Sequence, residues 1–126
     1  LDAAKHMWPQ DLAIIYTRLK DLNTDAGFAP KSRPFYYLEV IDFGTEAVKK
    51  QEYTGIGRVI EFTYGIVLGN MFRGSEPLND LRNWGNGWGL ANSGDALVMI
   101  DNHDNQRGHG GGGTAILTYK VPKLYK

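Results

Sequence analysis

Apolar residues in the first part of the chain recur at three- and four-residue steps. Leu12, Ile15, Leu19 and Leu22 follow Pro9 and fall on one face of a helix. Proline suits the first helical position, so the pattern predicts a helix from Pro9 to about Leu22, ended by Asn23 to Gly27. After Pro30 to Pro34 the period changes. Phe35-Tyr36-Tyr37-Leu38-Glu39-Val40-Ile41 is an aromatic and β-branched run that reads as a strand buried on both faces, interrupted by Glu39. A weaker helical stretch covers about Thr45 to Gln51, Arg58 to Phe62 reads as a second strand, and Ile66 to Phe72 as a helix. Pro77 opens a further helix with Leu78, Leu81 and Trp84 on one face, and Asp95 to Asp101 is a third buried strand. A glycine-rich loop and an amphipathic segment from Thr114 to Lys126 complete the pattern.

Strands alternating with helices at this spacing imply right-handed βαβ units and a parallel sheet. Periodicity alone does not separate an open sheet from a barrel. The placement of charge favours the barrel: Asp2, Glu39 and the Asp101 to Asp104 cluster each fall at the end of an apolar strand, where a (β/α)₈ barrel gathers its chemistry. The chain opens on Leu1-Asp2 without a polar lead-in and reads as cut from a longer one.

Composition narrows the function classes. The 126 residues carry 14 basic and 14 acidic side chains, a formal net charge of zero, so nothing in the charge balance points to nucleic acid or to an anionic membrane surface. No apolar run approaches the ~20 residues needed to span a bilayer, and Leu1 to Pro9 lacks the regions of a signal peptide. With no cysteine, a disulfide within this stretch is excluded. The 16 glycines concentrate at Gly55, Gly57, Gly85, Gly87, Gly89 and in the run Gly108 to Gly113, broken by His109, which implies sharply turning loops.

Glycoside hydrolysis asks for one carboxylate at the anomeric carbon and one carboxylic acid at the leaving oxygen, and the chain offers acids at several strand ends. Asp2 also reads as a simple helix-proximal charge, and Glu39 as half of a buried salt bridge, since an ionised Glu in a strand is costly without a partner. His103, Asp104 and His109 are metal-ligand types, but their spacing fits no common zinc motif. The glycine run lacks the Lys-Ser/Thr that completes a phosphate-binding loop, and a mobile lid over a cleft is the better physical reading.

Four motifs carry a resemblance along the whole chain. Asp2-Ala3-Ala4-Lys5-His6-Met7-Trp8-Pro9, Leu38-Glu39-Val40-Ile41-Asp42, Gly57-Arg58-Val59-Ile60-Glu61-Phe62, and Val98 to Gly110 with Asp101-Asn102-His103-Asp104 at its centre resemble, in that order, consecutive motifs of animal α-amylases. Asp21 to Asp25 and Leu117 to Lys123 lean toward the arthropod members. Leu38 stands where many relatives have Gln, and the Gly108 to Gly113 lid departs from the vertebrate form; neither departure touches a carboxylate.

The resemblance implies a partial (β/α)₈ barrel, from about the end of strand four to the region after strand seven. Residues 1–126 would be part of the catalytic domain, with the other strands, a calcium domain and a C-terminal β domain outside them. It implies endo-hydrolysis of α-1,4-glucosidic bonds in starch, glycogen and malto-oligosaccharides with retention of configuration, by Asp2 as nucleophile, Glu39 as acid/base and Asp104 as transition-state stabiliser. Retention would place the Asp2 and Glu39 carboxyls about 5 to 5.5 Å apart. Lys5, His6, Ile41, Glu46, His103 and His109 resemble substrate contacts. The His6 carbonyl resembles a Ca2+ ligand and Asn102 a Cl- ligand, whose two arginine companions would lie outside this stretch. The family implies a secreted, extracellular digestive enzyme, monomeric at full length, with no nucleic-acid or membrane partner. A related transglycosylase or other α-glucoside-acting enzyme, or a sugar-binding paralogue without catalysis, are the alternatives. The stretch alone is expected to be unstable and inactive.

Overall fold

A computed structural model describes residues 1–85 and 87–125. Three short parallel strands form one sheet in sequential order: β1 (Tyr37–Leu38), β2 (Arg58–Glu61) and β3 (Ala96–Val98). Tyr37 lies opposite Arg58 and Val59 opposite Ala96, so the registers carry each strand's C-terminal end to the same side of the sheet. Leu1 adds one rung beyond β1: its amino group donates to the Tyr37 carbonyl at 2.7 Å and its own carbonyl accepts from the Glu39 N–H at 3.0 Å. That alternation is the parallel-ladder pattern.

The first helix, α1 (Pro9–Arg18), starts where the proline predicts and buries Leu12. It stops one turn earlier than the apolar stripe suggests, because Leu19 is already extended (ψ 146). The Arg33 guanidinium explains the stop. It donates to the carbonyl of Tyr16, which also accepts the Leu19 N–H, and to that of Leu19, and pairs with Asp21 at 2.9 Å. The same guanidinium lies 5.0 Å from the centre of the Tyr16 ring, which stacks on Tyr36.

The strand expected over 35–41 is only two residues long and is not buried on both faces. Leu38 and Val40 are fully buried, whereas Phe35 and Tyr37 are 64% and 43% exposed. One face packs into a core of Ala4, Leu12, Leu38, Val40, Tyr53 and Val59, and the other opens toward a cleft.

Thr45 to Gln51 does not form a helix; only a single 3-10 turn, Lys50–Glu52, appears at its end. Side chains compete with the helical bonds here. Asp42 accepts from the N–H of Gly44 and of Lys50, and Glu46 from the N–H of Phe43.

The second helix, α2 (Phe62–Phe72), begins directly after β2, four residues before the expected start, with the Glu61 carboxylate accepting from the Thr63 N–H as its cap. Pro77 introduces a 3-10 segment, Leu78–Asn83, rather than an α-helix. The third strand is confined to Ala96–Val98 within the expected Asp95 to Asp101. The amphipathic segment at the end resolves into a 3-10 turn, Gly113–Ala115, and a short helix, α3 (Pro122–Tyr125); Lys126 lies outside the described residues. Glycine is required where α2 crosses that turn, since a Cβ on Gly69 would sit 1.8 Å from the Ala115 carbonyl oxygen.

Candidate active site

The C-terminal ends of the strands and the Leu1 rung surround a cleft of about 440 Å³ lined by Leu1, Asp2, Tyr37, Glu39, Ile60, Leu97, Met99, Asn102 and His103. Its floor is apolar and comes from the strands; its polar groups come from the residues that follow them.

Glu39 follows β1 and is only 8% exposed. Its backbone is fixed on one side, with its N–H on the Leu1 carbonyl and its carbonyl accepting the Lys5 N–H at 3.1 Å. Its carboxylate accepts the Ala3 N–H at 2.8 Å on Oε2, and the Asn102 side-chain amide lies 3.4 Å from Oε1. Ala3 reaches it from the left-handed region (φ 52), a conformation uncommon for a residue with a Cβ. The Glu39 pKa is raised above the ordinary glutamate value: burial is the largest cause, the Ala3 N–H opposes it, and hydrogen bonding and charge from Asp2 together with the charge of Asp104 add to it.

The 102–105 turn supplies the opposite wall. Asn102 Oδ1 accepts from the N–H groups of Asp104 (3.1 Å) and Asn105 (2.9 Å), while the buried Asn105 returns its Oδ1 to the Asn102 N–H at 2.8 Å. These reciprocal bonds hold the turn and present His103 and Asp104 together. His103 Nε2 lies 3.4 Å from Asp104 Oδ1 and 3.9 Å from Asp2 Oδ1, so one imidazole faces both carboxyl groups. Asp2, Glu39, Asn102, His103 and Asp104 are therefore brought together, from three separate parts of the chain.

The remaining predicted residues sit around this centre. Lys5 donates from Nζ to the Ile41 carbonyl at 2.5 Å, which ties those two to each other beside Glu39. Glu46 turns its carboxylate back to the Phe43 N–H at 2.7 Å and so shapes its own loop. His6 is exposed and lines a different cavity with Trp8, Val48, Glu52 and Tyr53. His109 lines a third, under the glycine run, with Asn105 and Thr114, and its N–H donates to the Asp104 carbonyl at 3.0 Å. The glycine run rests on the segment after β1: a Cβ on Gly111 would lie 2.2 Å from the Phe43 ring.

Sequence reasoning missed a buried polar network behind the cleft. The Lys50 ammonium and the Glu61 carboxylate meet at 2.6 Å, 3% and 1% exposed. Glu61 also accepts the N–H groups of Thr63 and Ala91, and the buried Asp42 holds the Lys50 N–H. Asp42 has a lowered pKa; burial is the largest single influence and pushes upward, but the N–H groups of Lys50 and Gly44, the hydrogen bond with Glu46 and the Lys49 charge outweigh it. Glu61 interrupts its strand as Glu39 does, so the signal was present; strand alternation does not say which acid meets a cation. Asn105 gave no such signal.

Among the described residues no group of three His, Cys, Asp or Glu side chains is placed to hold a metal ion, and no helix is long and apolar enough to cross a membrane. The His6 carbonyl is a single oxygen donor, where calcium takes six to eight. The Asn102 amide is a donor of the kind an anion accepts, already turned toward Glu39.

No family model matches the chain. Over its whole length it matches animal α-amylases: it is 62% identical to that of Phaedon cochleariae and 59% to that of Tenebrio molitor, each over 126 residues. It is 55% identical to pancreatic α-amylase 2a5 of Mus musculus over 128 aligned residues. The chain spans about a quarter of the length of these relatives, 25%, 26% and 25% respectively. Two crystal structures of α-amylase I from Eisenia fetida superpose on it: a mutant in complex with maltohexaose, with a TM-score of 0.92 and 52% identity, and the wild type, with 0.91 and 53%. Each covers 99% of this chain and 26% of the other. The parallel strands in sequential order are thus a portion of a (β/α)₈ barrel, and the open-sheet alternative is set aside.

Proposed function

We propose that the protein of which this chain forms part is an α-amylase, hydrolysing internal α-1,4-glucosidic bonds of starch, glycogen and malto-oligosaccharides with retention of configuration. The observation that carries the reading is the Glu39 carboxyl: buried in the cleft it shares with Asp2, with its pKa raised by that burial and by the charges of Asp2 and Asp104. A carboxylic acid that holds its proton more tightly than an ordinary glutamate, beside carboxylates that are more exposed, suits the acid-catalysed departure of a sugar alkoxide.

In this reading Glu39 gives its proton to the glycosidic oxygen as that bond breaks, and the Asp2 carboxylate forms an ester bond to the anomeric carbon. Water then attacks that carbon, Glu39 takes the water's proton, and the Asp2 ester bond breaks to free the sugar and regenerate both groups. Asp2 is near enough to Glu39 to raise its pKa, and a retaining pair needs the two carboxyl groups closer together than an inverting pair, which admits a water between them. Asp104, with His103 at 3.4 Å, binds hydroxyl groups of the sugar at the cleavage point and stabilises its charge. Ile41 and Glu46 serve the acceptor side, Lys5 and His6 are further substrate contacts, and His109 closes from the glycine run.

Calcium would take the His6 carbonyl as one of its oxygen ligands, with the rest of its shell outside the described residues; no step of the reaction is assigned to it. Chloride held at the Asn102 amide would add negative charge beside Glu39 and favour its protonated form. The enzyme is read as secreted, digestive and monomeric, without nucleic-acid or membrane partners.

Proton NMR of soluble starch digested by the intact protein tests the reading. Malto-oligosaccharides released first as α-anomers, with an early fall in viscosity, are expected; first release of β-anomers, or glucose alone, would overturn it.

A further inference from the structure

We propose that Lys50 is a positioning residue for the acceptor side of the cleft, acting through the buried Asp42, Lys50 and Glu61 network on the segment that carries Ile41 and Glu46; this rests on the α-amylase reading above.

A buried ion pair contributes little stability relative to apolar side chains of the same volume, so its value lies in the geometry it fixes. Here the geometry is specific. The 42–50 segment closes on itself: Asp42 at its start accepts the Gly44 N–H at 2.7 Å and, at its end, the Lys50 N–H at 3.0 Å, and Glu46 accepts the Phe43 N–H within it. The Lys50 ammonium then tethers this closed loop to Glu61 at the end of β2. Glu61 holds two further donors, the Thr63 and Ala91 N–H groups. Without the ammonium its carboxylate keeps those bonds, and what is lost is the link to the loop. Ile41 directly precedes Asp42, and both Ile41 and Phe43 lie under Gly111 of the glycine run. A shift of the loop therefore moves the rim on which an acceptor sugar and that run would rest.

The test uses the intact protein and two substrates. Maltoheptaose places sugar on both sides of the cleavage point, whereas a chromogenic aryl α-maltotrioside has only an aryl alcohol on the acceptor side. Lys50→Met should lower kcat/KM on maltoheptaose roughly 10-fold, mainly through KM, and leave the aryl substrate within about 2-fold of wild type. The Lys50→Met/Glu61→Gln double variant removes the unpaired charge; it should regain thermal stability but not the lost use of maltoheptaose. Asp42→Asn, which leaves Lys50 in place, should show the same substrate split and decides the matter if the Lys50 variants do not fold. Equal losses on both substrates, no loss on either, or failure of all three variants to fold would each overturn the positioning role. Failure of the wild type to cleave either substrate would instead sink the α-amylase reading and this inference with it.

Discussion

The Ala3 N–H donates to the Glu39 carboxylate at 2.8 Å from a left-handed backbone, so the turn that carries Asp2 is tied directly to the acid it faces. This contact, with the Asn102 amide on the other oxygen, fixes the Glu39 carboxyl without supplying a counter-charge. Glu39→Gln keeps the shape and removes the transferable proton. In the intact protein it should lower kcat on starch by at least ~10²- to 10⁴-fold while malto-oligosaccharide affinity, measured by calorimetry, changes only a few-fold.

The raised Glu39 pKa sets the sign of two pH effects. Its contribution to stability is fully present below the unfolded glutamate value of about 4.3 and is lost as pH rises through the higher folded value. The thermal midpoint of Glu39→Gln relative to wild type should therefore improve from acid to neutral pH; a difference that is flat with pH contradicts the assignment. For activity, loss of the Glu39 proton sets the alkaline limb. Removing a neighbouring charge with Asp104→Asn should move that limb of the residual activity to lower pH, and a move to higher pH would be the wrong sign.

The α2 crossing makes a stability prediction that is independent of catalysis. Gly69→Ala forces a methyl group to within 1.8 Å of a backbone oxygen and should cost at least ~2 kcal/mol by denaturant unfolding of the intact protein. Gly55→Ala, where a Cβ meets nothing within 4 Å, is the control and should stay within ~0.5 kcal/mol.

The 126-residue chain on its own exposes large apolar side chains, among them Phe35 at 64% and Val98 at 52%. The three-stranded sheet of the described residues does not close into a barrel that would cover them. It should bind a hydrophobic dye, elute as aggregates on size exclusion and leave starch intact. A monodisperse monomer with starch-cleaving activity would refute this.

Much of the site was legible because strand ends are where a parallel sheet puts its chemistry. Glu39 stood out as an acid inside an apolar run, and Asp2 and the 101–104 acids as charges after one. The elements were less legible than the site. A seven-residue apolar run reads as a doubly buried strand, yet only Tyr37–Leu38 pairs with β2, and one face of it looks into the cleft. The Thr45 to Gln51 helix was lost to side-chain bonds from Asp42 and Glu46, and α1 was shortened by Arg33, 14 residues from Leu19 in sequence. Such side-chain contacts to the backbone leave no periodic trace. For the same reason nothing in the sequence pattern marked Lys50 as the partner of Glu61.

The most direct test of the central claim is mass spectrometry of the intact protein after reaction with a fluorinated malto-oligosaccharyl fluoride, which slows hydrolysis of a covalent glycosyl intermediate. The account predicts the added sugar mass on the peptide that contains Asp2. The same mass on Glu39 or Asp104, or turnover with an inverted product and no adduct, would contradict it.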